Sequence, residues 1–198
     1  MLGARKFPKV DSTVLRVAIC IRALVDLDEF NGSPSESMAV RWKTQCEYRH
    51  LGEALERYEG YIACMTKTNG ATVIVPTENY VSLTEELESH GMSVNSVPLR
   101  GRFHTSDHIP ATNHLFALCA EDTRFQLPIK KSLHLPPRSN VDGSRVLSNL
   151  LIAVAVESIL AKRANCLLTV AEALKSEGPQ NEKHAVIIRA GQILLSQC

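Results

Sequence analysis

The sequence predicts an α/β protein in two pieces, with a smaller α+β lobe set between them. Three observations predict it. Residues 37–99 read as helix, strand, strand, helix, strand, the pattern of a ferredoxin-like lobe. Residues 146–163 carry apolar side chains all round a helix, as expected for one buried on several sides. Val186, Ile187 and Ile188 suit a strand of a parallel sheet covered on both faces. The chain then divides into a helix segment of the larger lobe (residues 1–35), the ferredoxin-like lobe (36–101) and the rest of the larger lobe (102–198).

In chain order, Val14, Leu15, Ala18, Ile19, Ile21, Leu24, Val25 and Leu27 recur on a broad face, predicting a helix over 12–29 capped by Asp11 or Ser12. The turn cluster Asn31-Gly32-Ser33-Pro34-Ser35 leads into the smaller lobe. A helix is predicted over 37–58, stopped at Gly60. Strands over 61–66 and 71–75 flank Asn69-Gly70, a strong hairpin signal. Thr77 is placed to cap a helix ending at His90-Gly91, and a strand over 92–99 follows. Beyond it come helices over 109–121, 146–163 and 165–177, and strands over 133–138 and 183–189.

The 198 residues, 44% hydrophobic, are enough for a real core. A net charge of +1, with Lys and Arg scattered among Asp and Glu, gives no field for tracking nucleic acid phosphates. The N-terminal residues lack the apolar stretch of a signal peptide, and the apolar run 150–156 is far too short to cross a bilayer. A soluble cytoplasmic protein is expected, with neither membrane nor nucleic acid as partner. Six cysteines stand apart without a CxxC, so neither a disulfide framework nor a zinc site is indicated. His104 and His108 are four apart with His114 beyond, but Pro110 argues against one continuous helix through both and no acidic or thiol ligands complete a set; no metal site is expected.

His104 lies where the strand over 92–99 hands over to the helix over 109–121, a junction of the kind that carries chemistry. A lone His is also a common loop residue, and only its partners make it a base. The stretch Val97-Pro98-Leu99-Arg100-Gly101-Arg102-Phe103-His104 resembles the histidine motif of acyltransferase domains that load polyketide and fatty acid synthases. Its Gly-Arg-Phe-His form is most similar to the starter-unit acyltransferase domain of fungal non-reducing polyketide synthases. Leu135-Pro136-Pro137-Arg138-Ser139-Asn140-Val141-Asp142-Gly143 resembles the Ser-Asn-x-x-Gly strand end of that family, and residues 71–76 with 83–87 resemble its small subdomain.

The resemblance implies the second half of an acyltransferase large lobe, α/β-hydrolase-like, with the ferredoxin-like lobe inserted. It implies starter-unit transfer from acyl-coenzyme A to the phosphopantetheine thiol of an acyl carrier protein, both as substrates, with no bound cofactor. The partner would be that carrier protein or the remainder of a polyketide synthase. By motif position His104 is the base and the Asn140 main-chain carbonyl orients its other ring nitrogen. Arg22 falls near the place where malonyl-selecting relatives keep a carboxylate-binding Arg; an Arg on the solvent side of an amphipathic helix is the alternative.

Such a transferase needs a Ser or Cys on a GxSxG or GxCxG elbow beside oxyanion donors. Neither motif occurs in the sequence, so no nucleophile is assigned, and the elbow is expected to precede Met1. Asn165-Cys166-Leu167 also replaces an aromatic pair that relatives carry, and residues 188–192 lack the family's Gly-Pro turn. Two readings follow: part of an acyl-transfer enzyme, or an inactive acyltransferase-like remnant that docks a carrier protein. The isolated chain is expected to be inactive.

Overall fold

The computed structural model describes residues 8–32, 34–125, 138–146 and 151–177. Helix α1 (Pro8–Phe30) leads into strand β1 (Ser35–Arg41), helix α2 (Gln45–Arg57), the hairpin β2 (Tyr61–Lys67) and β3 (Gly70–Pro76), helix α3 (Tyr80–Ser89) and strand β4 (Ser93–Val97). Helices α4 (Ile109–Glu121) and α5 (Leu151–Leu160), strand β5 (Ala164–Asn165) and helix α6 (Cys166–Glu177) follow. The sheet order is β4-β1-β3-β2-β5. The first three pairings are antiparallel, while β5 joins β2 in parallel, with Cys64 opposite Ala164 and Met65 opposite Asn165.

The predicted helix over 37–58 is two elements. Residues 35–41 form a central strand, flanked by β3 and β4 and buried on both faces, so it shows no strand-like alternation in the sequence. The helix starts only after Thr44, whose hydroxyl accepts the Glu47 N–H at 3.2 Å while the Glu47 carboxylate accepts the Lys43 N–H at 2.7 Å. The first contact meets an orphan donor of the helix, and the second ties the residue before the cap to the first turn. The hairpin falls where Asn69-Gly70 places it, and Trp42 donates its N–H to the Asn69 carbonyl at 3.1 Å.

Helix α1 begins at Pro8, so Asp11 and Ser12 lie inside it and are not its caps. Residues 77–79 make a 3₁₀ turn before α3. The predicted helix over 146–163 is observed as α5, and Val146 stands outside it. The predicted strand over 183–189 and all of that over 133–138 except Arg138 lie outside the described residues.

Two apolar cores form. One is drawn from residues 38–92: Met38, Val40, Leu51, Ala54, Val73, Leu83 and Leu87 are fully buried between the sheet, α2 and α3. The other joins Val17, Ile21 and Val25 of α1 with Leu115 and Cys119 of α4, Phe125, and Val156 and Leu160 of α5. The 17, 21, 25 spacing is one helix face. On α1's other faces Leu15, Ile19, Leu27 and Phe30 remain exposed. No helix among the described residues is long and apolar enough to cross a membrane.

Candidate active site

The chain leaves β4 at Val97 and reaches α4 through a loop that its neighbours clamp from three sides. Gly101 takes φ +95°, a left-handed conformation, and a Cβ there would run into Val25 Cγ1, so only glycine fits. Arg22 of α1 donates from Nη1 to the Arg100 carbonyl at 2.9 Å. Tyr61, at the start of β2, donates its hydroxyl to the Phe103 carbonyl at 2.8 Å, and burial pushes its pKa well up, so it stays a donor. His108, buried, lies with Nε2 2.7 Å from the Arg102 carbonyl; since a carbonyl only accepts, Nε2 carries the proton.

His104 follows at φ +59°, uncommon for a residue with a side chain. The end of α5 holds it there. The His104 N–H donates to Ile159 O at 3.0 Å and the Thr105 N–H to Leu160 O at 2.9 Å, filling carbonyls that a helix end leaves without partners. The ring's Nδ1 lies 2.8 Å from the Lys162 carbonyl. That contact requires the proton on Nδ1, which leaves the basic lone pair of the neutral ring on Nε2.

Two effects compete over the charge of this ring. Burial disfavours the imidazolium, while the Lys162 and Ser158 carbonyls favour it; burial is the larger, and the His104 pKa is lowered from its ordinary value. The ring is therefore held neutral, in one tautomer, near neutral pH. That is the state in which a histidine can accept a proton.

The structure corrects the expected partner. Lys162, not Asn140, holds the ring nitrogen of His104, because the chain after α5 turns back to add β5 to the sheet and brings its own carbonyl to the ring. The Asn140 carbonyl accepts the Asn165 N–H at 2.7 Å instead. The Ser-Asn turn thus seats the start of α6, helped by Thr169, whose hydroxyl donates to the Ser139 carbonyl at 3.1 Å. Gly143 in this turn has φ +75°, and a Cβ there would meet the Leu168 carbonyl at 2.8 Å.

Arg22 lies on the same side of the loop but is already engaged. Besides Arg100, its guanidinium meets Asp26 and, at 3.5 Å, Glu29, both on its own helix. In these contacts it acts as a clamp on the histidine loop. His108 and His114 do not join His104 in a metal set. His104 precedes the 3₁₀ turn Ser106–His108, with α4 beginning at Ile109, so the three share no helix face. Among the described residues no group of three or more His, Cys, Asp or Glu could hold a metal ion.

A cavity of about 450 Å³ opens beside the loop, walled in part by Glu59, Tyr61, Glu78, Arg102, Thr105 and Asp107; His104 is not among its walls. Arg102 is paired there with Asp107. On the loop's α1 side Asp28 Oδ2, buried without a hydrogen bond, lies 3.8 Å from Arg102 Nε and 3.9 Å from His108 Nε2. In the sequence no role attaches to Tyr61, Asp28 or Lys162, and His108 is considered only as a metal ligand. Tyr61, Asp28 and Lys162 reach the loop from elsewhere in the fold, and a main-chain carbonyl leaves no side-chain signature at all.

No protein-family model matches the chain. It is 76% identical over 189 residues to the non-reducing polyketide synthase ausA of Aspergillus calidoustus, and 46% identical over 190 residues to the non-reducing polyketide synthase trt4 of Aspergillus terreus. Each match takes in 96% of this chain, and the chain spans only 8% of the length of either relative. Among solved structures it is similar to the malonyl CoA-acyl carrier protein transacylase of Coxiella burnetii, with TM-score 0.64 and 15% identity over 87% of this chain and 52% of that one. The acyltransferase domain of the iterative polyketide synthase of enediyne biosynthesis superposes with TM-score 0.57 and 16% identity, over 83% of this chain and 40% of that one. The chain thus has the mixed α/β fold of acyltransferase domains and is similar in sequence to a short segment of fungal non-reducing polyketide synthases.

Proposed function

We propose that this chain carries the histidine half of an acyltransferase domain that loads a starter acyl group from acyl-coenzyme A onto the phosphopantetheine thiol of an acyl carrier protein. The observation that carries this reading is the state of His104: neutral, half-buried, with Nδ1 on the Lys162 carbonyl and Nε2 left basic. In that role Nε2 takes the proton of a Ser or Cys nucleophile as the thioester is attacked, and returns a proton to the leaving thiol. The sheet β1–β4 with α2 and α3 is, in this reading, the ferredoxin-like small lobe of that domain, and the setting is soluble and cytoplasmic.

The test is a segment exchange. Placed in the Aspergillus calidoustus synthase in place of the segment it matches, the chain should support acyl loading of the carrier protein. His104→Ala in that hybrid should lower loading by about 10²- to 10⁴-fold, the usual worth of a general base. Unchanged loading would remove His104 from the reaction.

A second reading rests on a different observation, the absence of any GxSxG or GxCxG in the 198 residues. The isolated chain would then have an acyltransferase fold without covalent catalysis, and could at most dock a carrier protein. Incubated alone with short and medium acyl-coenzyme A, it should show no acyl adduct by intact-protein mass spectrometry. A stoichiometric adduct that disappears in His104→Ala would show that one of its own cysteines serves as the nucleophile.

A further inference from the structure

The cysteines, scattered in the sequence, are not scattered in the fold. Cys64 on β2 and Cys166 at the start of α6 stand with their sulfurs 3.6 Å apart, although 102 positions separate them. The approach is built into the sheet. Cys64 is opposite Ala164 in the parallel pairing of β2 with β5, so Cys166 enters α6 directly beside it. Both are half-buried. Cys46 is exposed, and Cys119 is buried in the helical core with Cys20 packed against it. No third His, Cys, Asp or Glu joins Cys64 and Cys166 to make a metal site among the described residues.

We propose that Cys64 and Cys166 are an oxidisable dithiol, a site of reversible disulfide formation that ties β2 to the first turn of α6. The oxidant class is a small-molecule disulfide such as oxidised glutathione. One thiol loses its proton, attacks the glutathione disulfide, forms a mixed disulfide and releases one glutathione thiol. The second, also deprotonated, attacks the protein sulfur of that mixed disulfide. The new bond joins the two cysteines, the second glutathione leaves as a thiol, and the protein has lost two electrons and two protons to the oxidant. The sulfurs must close from 3.6 Å to about 2.05 Å. The link would lie just past β5, which follows the 161–163 turn whose Lys162 carbonyl holds the His104 ring, and would add a covalent tie beside the short β2–β5 pairing. The dithiol stands whether or not His104 is a base.

The experiment treats the folded chain with oxidised glutathione, alkylates remaining thiols and maps the products by proteolysis and mass spectrometry without reduction. The expected result is a peptide pair linked through Cys64 and Cys166, while Cys46 carries glutathione. In Cys64→Ser the pair should vanish and Cys166 should be recovered alkylated or glutathionylated. Because the closed loop constrains the unfolded chain, oxidation should also raise the unfolding temperature of the parent, reversibly on reduction, and not that of Cys64→Ser. Separate alkylation or glutathionylation of Cys64 and Cys166, or a Cys20–Cys119 link formed in preference, would overturn the proposal. So would a Cys64–Cys166 link that lowers the unfolding temperature, since it would not belong to the native fold.

Discussion

The sheet core and the helical core solve the same problem with different parts. The first is assembled from one continuous stretch, residues 38–92, through hairpin and strand-helix contacts, with side chains such as Met38, Leu51 and Leu83 fully buried. The second gathers α1, α4, the segment around Phe125 and α5, whose members Val17 and Leu160 lie far apart in the chain, and it leaves Leu15, Ile19, Leu27, Phe30 and Leu118 exposed. Local closure costs less chain entropy than long-range closure. The sheet side therefore holds itself together, whereas the histidine is carried at the seam, gripped by the end of α5 on one side and by Tyr61 of β2 on the other.

Truncating a fully buried side chain should break the two sides unequally. Leu83→Ala, in the sheet core, is expected to cost about 2–5 kcal/mol and to lower protection of the amides of β1, β3 and α3 in hydrogen exchange. Leu160→Ala, in the helical core, should lower protection of α1, α4 and α5 and leave that of β1 and β3 close to the parent. Equal loss on both sides in Leu160→Ala would merge the two cores into one cooperative unit.

Gly101→Ala should come next. The added methyl meets Val25 at a left-handed φ, and overpacking of this kind costs about 1–3 kcal/mol. The loss should appear in denaturant unfolding. A companion Val25→Ala change that recovers part of it would show that the clash, and not only the backbone conformation, is responsible. Smaller again is Tyr61→Phe, which removes the hydroxyl holding Phe103 and should cost about 0.5–1.5 kcal/mol. Thr44→Ala, which removes the α2 cap on the sheet side, should cost about 0.5–2 kcal/mol without disturbing the His104 ring.

The smallest effect is a pH dependence. The folded pKa of His104 lies below its ordinary value of 6.5, so in the window just below 6.5 the unfolded chain binds more protons. The stability this gives is present above pH 6.5 and is lost as pH falls through the folded value. His104→Gln should remove that part of the pH slope, as read from unfolding at several pH values. An unaltered slope would place the titration elsewhere.

Most of the sheet side is legible because its signals are local, as where Asn69-Gly70 marks the β2–β3 hairpin; on the helical side Pro110 marks the first turn of α4, where a proline is tolerated. Strand β1 is not legible, since a strand buried on both faces mimics one stripe of a helix, although Thr44 and Glu47 carry the cap signature that would divide it. The place of His104, in the loop between a strand and a helix, is legible. Its partner is not, because Lys162 acts through a main-chain carbonyl whose place depends on β5, a two-residue strand too short to leave a pattern. The nearness of Cys64 and Cys166 leaves no sequence signal for the same reason.

The central claim is that His104 is held neutral with its proton on Nδ1 and its lone pair on Nε2. Nitrogen-15 NMR of the histidine ring, assigned by His104→Gln and followed through a pH titration, tests it directly. The account predicts the Nδ1–H tautomer and a titration midpoint below 6.5. A ring protonated on Nε2 at neutral pH, or a midpoint above 6.5, would contradict it.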